Sequence, residues 1–214
     1  VDKEKAAILS EAGLDRLNHN LNASESKYAS ICSTHTFQDR VNTLEAAKSS
    51  GLEICSGVII GMGESIEDIF SLAQKLNQMN VESIPVNFYI PIKGTKLEPV
   101  APHLQLTPEF CLRALSLFRF MNPKAEIRLA AGREFHLRSL QPMGLYPANS
   151  IFLDGYLNTK GSKIKETFTM IKDLGFDIES KQDLESILSK TSIESIDKSS
   201  LKTVQELRPT VTTS

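Results

Sequence analysis

Two hydrophobic periods alternate along this chain, and the switches between them mark its elements. Short apolar runs rich in β-branched residues are too brief for helices and read as buried strands. They occupy Leu14–Leu21, Ile54–Ile60, Ser83–Ile92 and Glu126–Ala131, with a short extra strand at Asn149–Leu153. Between them apolar residues recur every three or four positions, the spacing that lays one stripe along a helix. A first helix covers residues 2–11 and stops at Gly13. Phe37, Val41, Leu44 and Ala47 line a second, opened by a capping-box pattern at Thr36 and Asp39 and ended near Gly51. Ser65 and Asp68 open a third in the same way; it runs to about Asn80 with Ile66, Ile69, Phe70, Ala73 and Leu76 inward. Thr107 and Pro108 form an N-cap with a first-turn proline, ahead of Leu112, Leu115, Phe118 and Met121. A last amphipathic stretch carries Ile164, Phe168, Ile171 and Leu174 and ends at Gly175.

The β-α unit repeats four times, which calls for an α/β fold with parallel strands and right-handed crossovers. Eight such units close a barrel, and four make half of one. Ligand chemistry is then expected where strands end and turns begin. Asn18, Asn20 and Asn22 lie there on one strand face, with His19 and Leu21 on the other. Asn87, Arg128 and the glycine turn from Gly61 to Glu64 occupy the same region of later units.

Composition narrows the classes. At 214 residues and 41% hydrophobic, the chain can bury a sizeable core. A net charge of −2 indicates neither a nucleic-acid footprint nor a membrane-binding basic face. No apolar run approaches the roughly 18 residues of a membrane span. The start, Val1-Asp2-Lys3-Glu4-Lys5, has no initiator Met or signal core and reads as the middle of a helix, so a fragment of a longer protein is expected. Three cysteines, an odd number widely spaced, argue against a disulfide framework and for a reducing, cytoplasmic setting. Beyond about residue 180 the composition turns to Ser, Lys, Glu and Thr, a polar, poorly ordered tail over 180–214 with room for two short helices.

Several residues admit bland readings. Cys55 alone is a buried strand thiol, and Arg128 a salt-bridge partner. Cys32 and His35 have a spacing a metal could use, but no second pair accompanies them. Cys111 reads as core and His19 as packing, while His103 and His136 are assigned no role.

Five motifs in order carry a resemblance: Asn18-His19-Asn20-Leu21-Asn22; Cys55-Ser56-Gly57-x-Ile59-x-Gly61-x-Gly63-Glu64; Ile84-Pro85-Val86-Asn87; Arg128-Leu129-Ala130-Ala131-Gly132-Arg133-Glu134; and Ala148-Asn149-Ser150-Ile151-Phe152. Over roughly residues 1–178 the chain resembles the biotin synthases of the radical S-adenosylmethionine (SAM) superfamily. The resemblance implies the C-terminal half of a (β/α)8 barrel over residues 1–160, a C-terminal helix over 161–179, and the tail. It implies a sulfurtransferase that converts dethiobiotin to biotin. A 4Fe-4S cluster and SAM generate the radical in that family, and a 2Fe-2S cluster donates the sulfur. Cys55 then matches a 2Fe-2S ligand and Arg128 the same cluster's arginine ligand. Asn18, Asn20 and Asn87 match substrate contacts, and Asn20, Asn22, Arg40, Gly61 and Glu64 match SAM contacts; no catalytic residue is assigned. An amide suits a urea ring, because it offers both a donor and an acceptor. An electron donor such as flavodoxin or ferredoxin, and a homodimer for the full-length enzyme, are further implied. The CxxxCxxC loop that holds the 4Fe-4S cluster is absent from the sequence, and Asn22 stands where an aspartate is common. The chain by itself is therefore expected to be inactive. A radical SAM maturase, a thiazole-pathway lyase or an inert chain are the alternatives, and Asn18, Asn20 and Asn87 together favour the ureido substrate over those of the other two enzymes.

Overall fold

The computed structural model describes residues 1–92, 94–95, 97, 106–153, 164–180 and 183–184. In chain order these form α1 (Lys3–Glu11), β1 (Arg16–Asn18), α2 (Glu25–Ile31), α3 (Phe37–Ser49), β2 (Glu53–Cys55), β3 (Val58–Ile60) and α4 (Ile66–Gln78). Then come β4 (Ser83–Phe88), α5 (Pro108–Met121), β5 (Glu126–Leu129), α6 (Arg133–Leu137), a 3-10 helix (Arg138–Leu145), β6 (Ser150–Ile151) and α7 (Ile164–Asp173). All six strands join one parallel sheet in the order β1-β2-β4-β5-β6, with β3 also paired to β4. The parallel α/β architecture is thus the one the alternation predicts.

The helix starts follow their caps. Thr36 and Asp39 close a reciprocal capping box at α3, and Ser65 and Asp68 do so at α4. Asp68 also accepts hydrogen bonds from Ser24, at 2.8 Å, and Ser26. Burial alone would raise its carboxyl, but the bonds from Ser26, Ser65 and Ser24 outweigh it and hold the group at about 2. This cap therefore also ties the entrance of α2 to α4. Helix α2 has no counterpart among the predicted elements, because its short run lacks an apolar stripe long enough to read.

Four expected features differ. The Leu14–Leu21 strand is regular only over Arg16–Asn18, because Asn22 takes a left-handed conformation with φ 66° and pairs with Val58 as an isolated bridge. Ile54–Ile60 is two strands, interrupted at Ser56 and Gly57. Ser56 turns its hydroxyl to accept from the Leu21 amide at 3.1 Å, and a Cβ at Gly57 would lie 3.0 Å from both Asn20 Oδ1 and the Pro85 carbonyl. On α4 the buried stripe is Ile69, Leu72, Ala73 and Leu76, while Ile66 and Phe70 face solvent. Phe70 lies about a quarter turn or more from that stripe, so the 3.6-residue period rotates it off the core. On α5, Leu115 and Phe118 are buried with Cys111 and Ala114, whereas Leu112 and Met121 are half-buried.

The sheet is strongly curved. Three strand spacings of about 4.8 Å separate β1 from β5 along it. Yet Arg16 on β1 reaches Glu126 on β5 at 3.1 Å, so the sheet curls toward the face carrying both. The helices cover the opposite face, where Ile54, Ile84, Val86, Ile127 and Leu129 are buried in the core. Nearly all of the expected 180–214 tail, the 160/161 boundary and His103 lie outside the described residues. None of the described helices is long and apolar enough to cross a membrane.

Candidate functional site

Residues paired in a parallel sheet share a face, so the register alone assembles the site. Asn18 pairs with Cys55, Cys55 with Ser83, and Ser83 with Glu126. One layer on, Pro85 pairs with Arg128 and Arg128 with Ser150; beyond them Ile59 pairs with Asn87. Asn18, Cys55, Asn87 and Arg128, which lie far apart in sequence, are thereby brought to the concave face. Their opposite neighbours Ile54, Ile127 and Leu129 are fully buried in the core.

Cys55 is 3% exposed and accepts from Asn18 Nδ2 at 3.4 Å. Burial pushes its thiol up, offset in part by the neighbouring Ser83 hydroxyl and the charges of Arg128 and Arg16. That hydroxyl is itself buried and has no hydrogen bond of ordinary geometry. Arg128 donates through Nε to Ser150 Oγ at 3.0 Å and to Glu126 Oε1 at 3.2 Å, and through Nη2 to the same oxygen. Its guanidinium carbon lies 5.2 Å from the centre of the Phe152 ring, a cation–π distance. Burial would raise the Glu126 carboxyl, but hydrogen bonds from Arg128 and Ser150, with help from Arg16, hold it below its usual range. Ser83, Glu126, Ser150 and Phe152 are not among the sequence-derived candidates. The i, i+2 spacing of Glu126 and Arg128 on a strand is a usable signal for that pair. Ser83 carries none, and Phe152 figures only within the fifth motif, since their place beside the site depends on register and on the chain after β6.

The other candidates form a second group at the strand ends. Asn20 Oδ1 accepts from the Gly57 amide at 2.7 Å. Arg40, on α3, donates to the Asn20 carbonyl at 2.8 Å and to the Tyr28 hydroxyl, so it braces the asparagine segment from behind. Asn22 is clamped by its backbone to Gly57 and Ile59, at 3.0 and 2.8 Å. Asn87 donates to the Val58 carbonyl at 3.0 Å and accepts from the Ala131 amide at 3.2 Å. An amide has two N–H groups and two lone pairs, so one of each remains for a ligand. The Glu64 carboxylate accepts from the backbone amides of Gly61 and Met62 and folds the turn in which Gly61 has φ 104°. In that role Glu64 shapes the loop through the backbone.

The residues given bland readings sit apart. His136 is buried with Nε2 2.7 Å from the Tyr89 carbonyl. Burial and the nearby Arg40 charge lower His19 to about 4, so it is neutral at physiological pH. Cys32 lies 3.5 Å from Thr34 Oγ1 and 3.5 Å from His35 Nδ1, and the Thr34 hydrogen bond lowers its thiol to about 7. Cys111 is fully buried and burial raises it to about 12. Iodoacetamide at pH 7.5 is therefore expected to label Cys32 first and Cys111 only on unfolding. Peptide mass spectrometry after short exposure reads the order, and early label on Cys111 contradicts it. No cluster of three or more His, Cys, Asp or Glu side chains suited to a metal occurs among the described residues.

Residues 1–76 match the family model of the Radical SAM superfamily, and residues 85–177 that of the Biotin and Thiamin Synthesis associated domain. The biotin synthase of Acaryochloris marina is 56% identical over 192 residues, covering 90% of this chain and 55% of that protein. Those of Leptospira biflexa and Bacillus subtilis are 57% and 50% identical, covering 81% and 88% of this chain and 48% and 56% of theirs. Over most of its length the chain is thus similar to the C-terminal part of biotin synthases. It spans about half the length of the curated relatives it matches. Among solved structures, methylornithine synthase superposes with a TM-score of 0.70 at 18% identity, over 89% of this chain and 59% of that one. A maturase of the FeFe-hydrogenase gives 0.66 at 12% identity, over 82% and 42%. These two share the fold.

Similarity to the Radical SAM superfamily model and to biotin synthases points to SAM and iron–sulfur clusters, and the concave face can be tested against them. A 2Fe-2S cluster needs soft thiolate donors, with their outer shell hydrogen-bonded. A buried cysteine, an unsatisfied serine hydroxyl beside it and an arginine braced on the same face fit part of such a site. One cysteine is short of the full donor set, in keeping with a chain of half the relatives' length.

Proposed function

We propose that this chain forms the sulfur-insertion half of a biotin synthase, acting on dethiobiotin as the last step of biotin formation. What carries the reading is the convergence of Cys55, Arg128, Asn18 and Asn87 on one curved sheet face in a chain similar to biotin synthases. When bound, SAM with a 4Fe-4S cluster supplies the hydrogen-abstracting radical and the 2Fe-2S cluster the sulfur. Cys55 and Arg128 would hold the 2Fe-2S cluster, with Asn18 donating to the Cys55 sulfur. Protonated arginine offers a metal no lone pair, so Arg128 ligates only on losing a proton. Asn87 and Asn20 present amides fixed by backbone hydrogen bonds, able to give a urea ring both a donor and an acceptor. Arg40 and the turn closed by Glu64 shape the SAM side, and Asn22, neutral where an aspartate is common, contacts the ribose without a charge. A flavodoxin- or ferredoxin-type reductant, a homodimer and a cytoplasmic setting belong to the same reading.

The 4Fe-4S ligands are missing from this sequence. Anaerobic assays with dethiobiotin, SAM and a reducing system are therefore expected to give biotin from a full-length protein carrying this chain and none from the 214-residue chain. Biotin formed by the isolated chain would show that the site is complete without the other half. A full-length protein inactive on dethiobiotin would overturn the substrate.

A further inference from the structure

At the foot of the concave face, four charged side chains form a ladder. Arg16 donates to Glu53 Oε2 from Nε at 2.8 Å and Nη2 at 2.6 Å, and from Nη1 to Glu126 Oε2 at 3.1 Å. The other oxygen of Glu126 takes Nε and Nη2 of Arg128. Each oxygen of one carboxylate thus engages a guanidinium from a different strand. The ladder therefore spans β2, β1 and β5.

A guanidinium is planar, with its five donors in a rigid fork. Fixing Nε and Nη2 against one carboxylate oxygen fixes the plane of the group. The Ser150 hydroxyl holds the same Nε at 3.0 Å, and Phe152 lies 5.2 Å away across the group. Nη1 is the nitrogen of Arg128 that no described residue engages. Arg16 in turn anchors the far side of Glu126, so the carboxylate cannot follow Arg128 if that side chain swings on its flexible stem.

We propose that Glu126, anchored by Arg16, is the positioning residue for Arg128: it orients the guanidinium so that Nη1 faces the 2Fe-2S site. This rests on reading Cys55 and Arg128 as ligands of that cluster. Loss of the carboxylate leaves Arg128 held only by Ser150 and the Phe152 ring, with its charge unpaired in a half-buried setting.

The test uses the full-length protein carrying this chain, reconstituted anaerobically with iron and sulfide. Readouts are 2Fe-2S content, the visible circular-dichroism bands and the reduction potential. Glu126→Ala is expected to shift bands and potential. The same substitution made on an Arg128→Ala background is expected to add no further shift, because Glu126 acts through Arg128. Bands and potential unchanged in Glu126→Ala, or an equal shift on the Arg128→Ala background, overturn the proposal. If Glu126→Ala does not fold, Glu126→Gln, which keeps the shape and one acceptor but loses the charge, carries the same two comparisons. Cys55→Ala separates the levels. Undiminished 2Fe-2S content there defeats the cluster reading itself, whereas loss of cluster there with a silent Glu126→Ala defeats this proposal alone.

Discussion

Cys55→Ala, in a full-length protein carrying this chain, is expected to lose the 2Fe-2S cluster after anaerobic reconstitution, with iron and sulfide falling by about two per chain. The thiol is 3% exposed on the concave face, and no other cysteine of this chain can replace it. Cys111 is buried on α5, and Cys32 follows α2 beside His35. Deleting one buried sulfur costs about 1 kcal/mol of packing, so the variant is expected to fold and the cluster loss to be specific. Iron analysis and the visible spectrum, read beside a thermal melt, check this. A melt near that of the parent with full cluster content would take Cys55 out of the site.

Gly132→Ala is expected to destabilise the chain by about 2–5 kcal/mol, through two separable effects. Gly132 has φ 84°, where an L side chain costs roughly 1–2 kcal/mol. A Cβ there would also lie 2.2 Å from the Phe88 carbonyl oxygen, a backbone atom that cannot swing aside. Gly51→Ala is the control: its φ is 80° and nothing lies within 4 Å of the added carbon. It is expected to lose only the conformational term, about 1–2 kcal/mol. Urea melts of the two variants measure the difference, and equal losses would refute the steric part. The close approach has a structural consequence as well. It lets the Ala131 carbonyl accept from the Phe88 amide at 2.8 Å and brings the Ala131 amide to Asn87, so the β5–α6 turn is seated on a candidate substrate contact.

The helices were largely legible because their signals are local. Thr36 with Asp39 and Ser65 with Asp68 form capping boxes whose partners are three residues apart, and Pro108 follows its cap directly. Strand limits were less so. Ile54–Ile60 reads as one apolar run, but Ser56 and Gly57 make contacts with Leu21, Asn20 and Pro85 that belong to other units of the chain. Phe70 fits a loose apolar count yet points to solvent, because the sheet meets a narrower stripe of α4.

Periodicity and motif order determined by themselves the parallel α/β class, the family resemblance and the identities of Cys55, Arg128 and the asparagines. Parallel register decided that Cys55 shares a face with Ser83 and Glu126, since a slip of one residue would turn each side chain into the helix layer. Sheet curvature decided that Arg16 meets Glu126 across two intervening strand lines, 110 residues away in the chain. Neither has a local signature. A strand's pattern records which residues face the core, whereas its neighbours across the sheet are set by how all the units pack together.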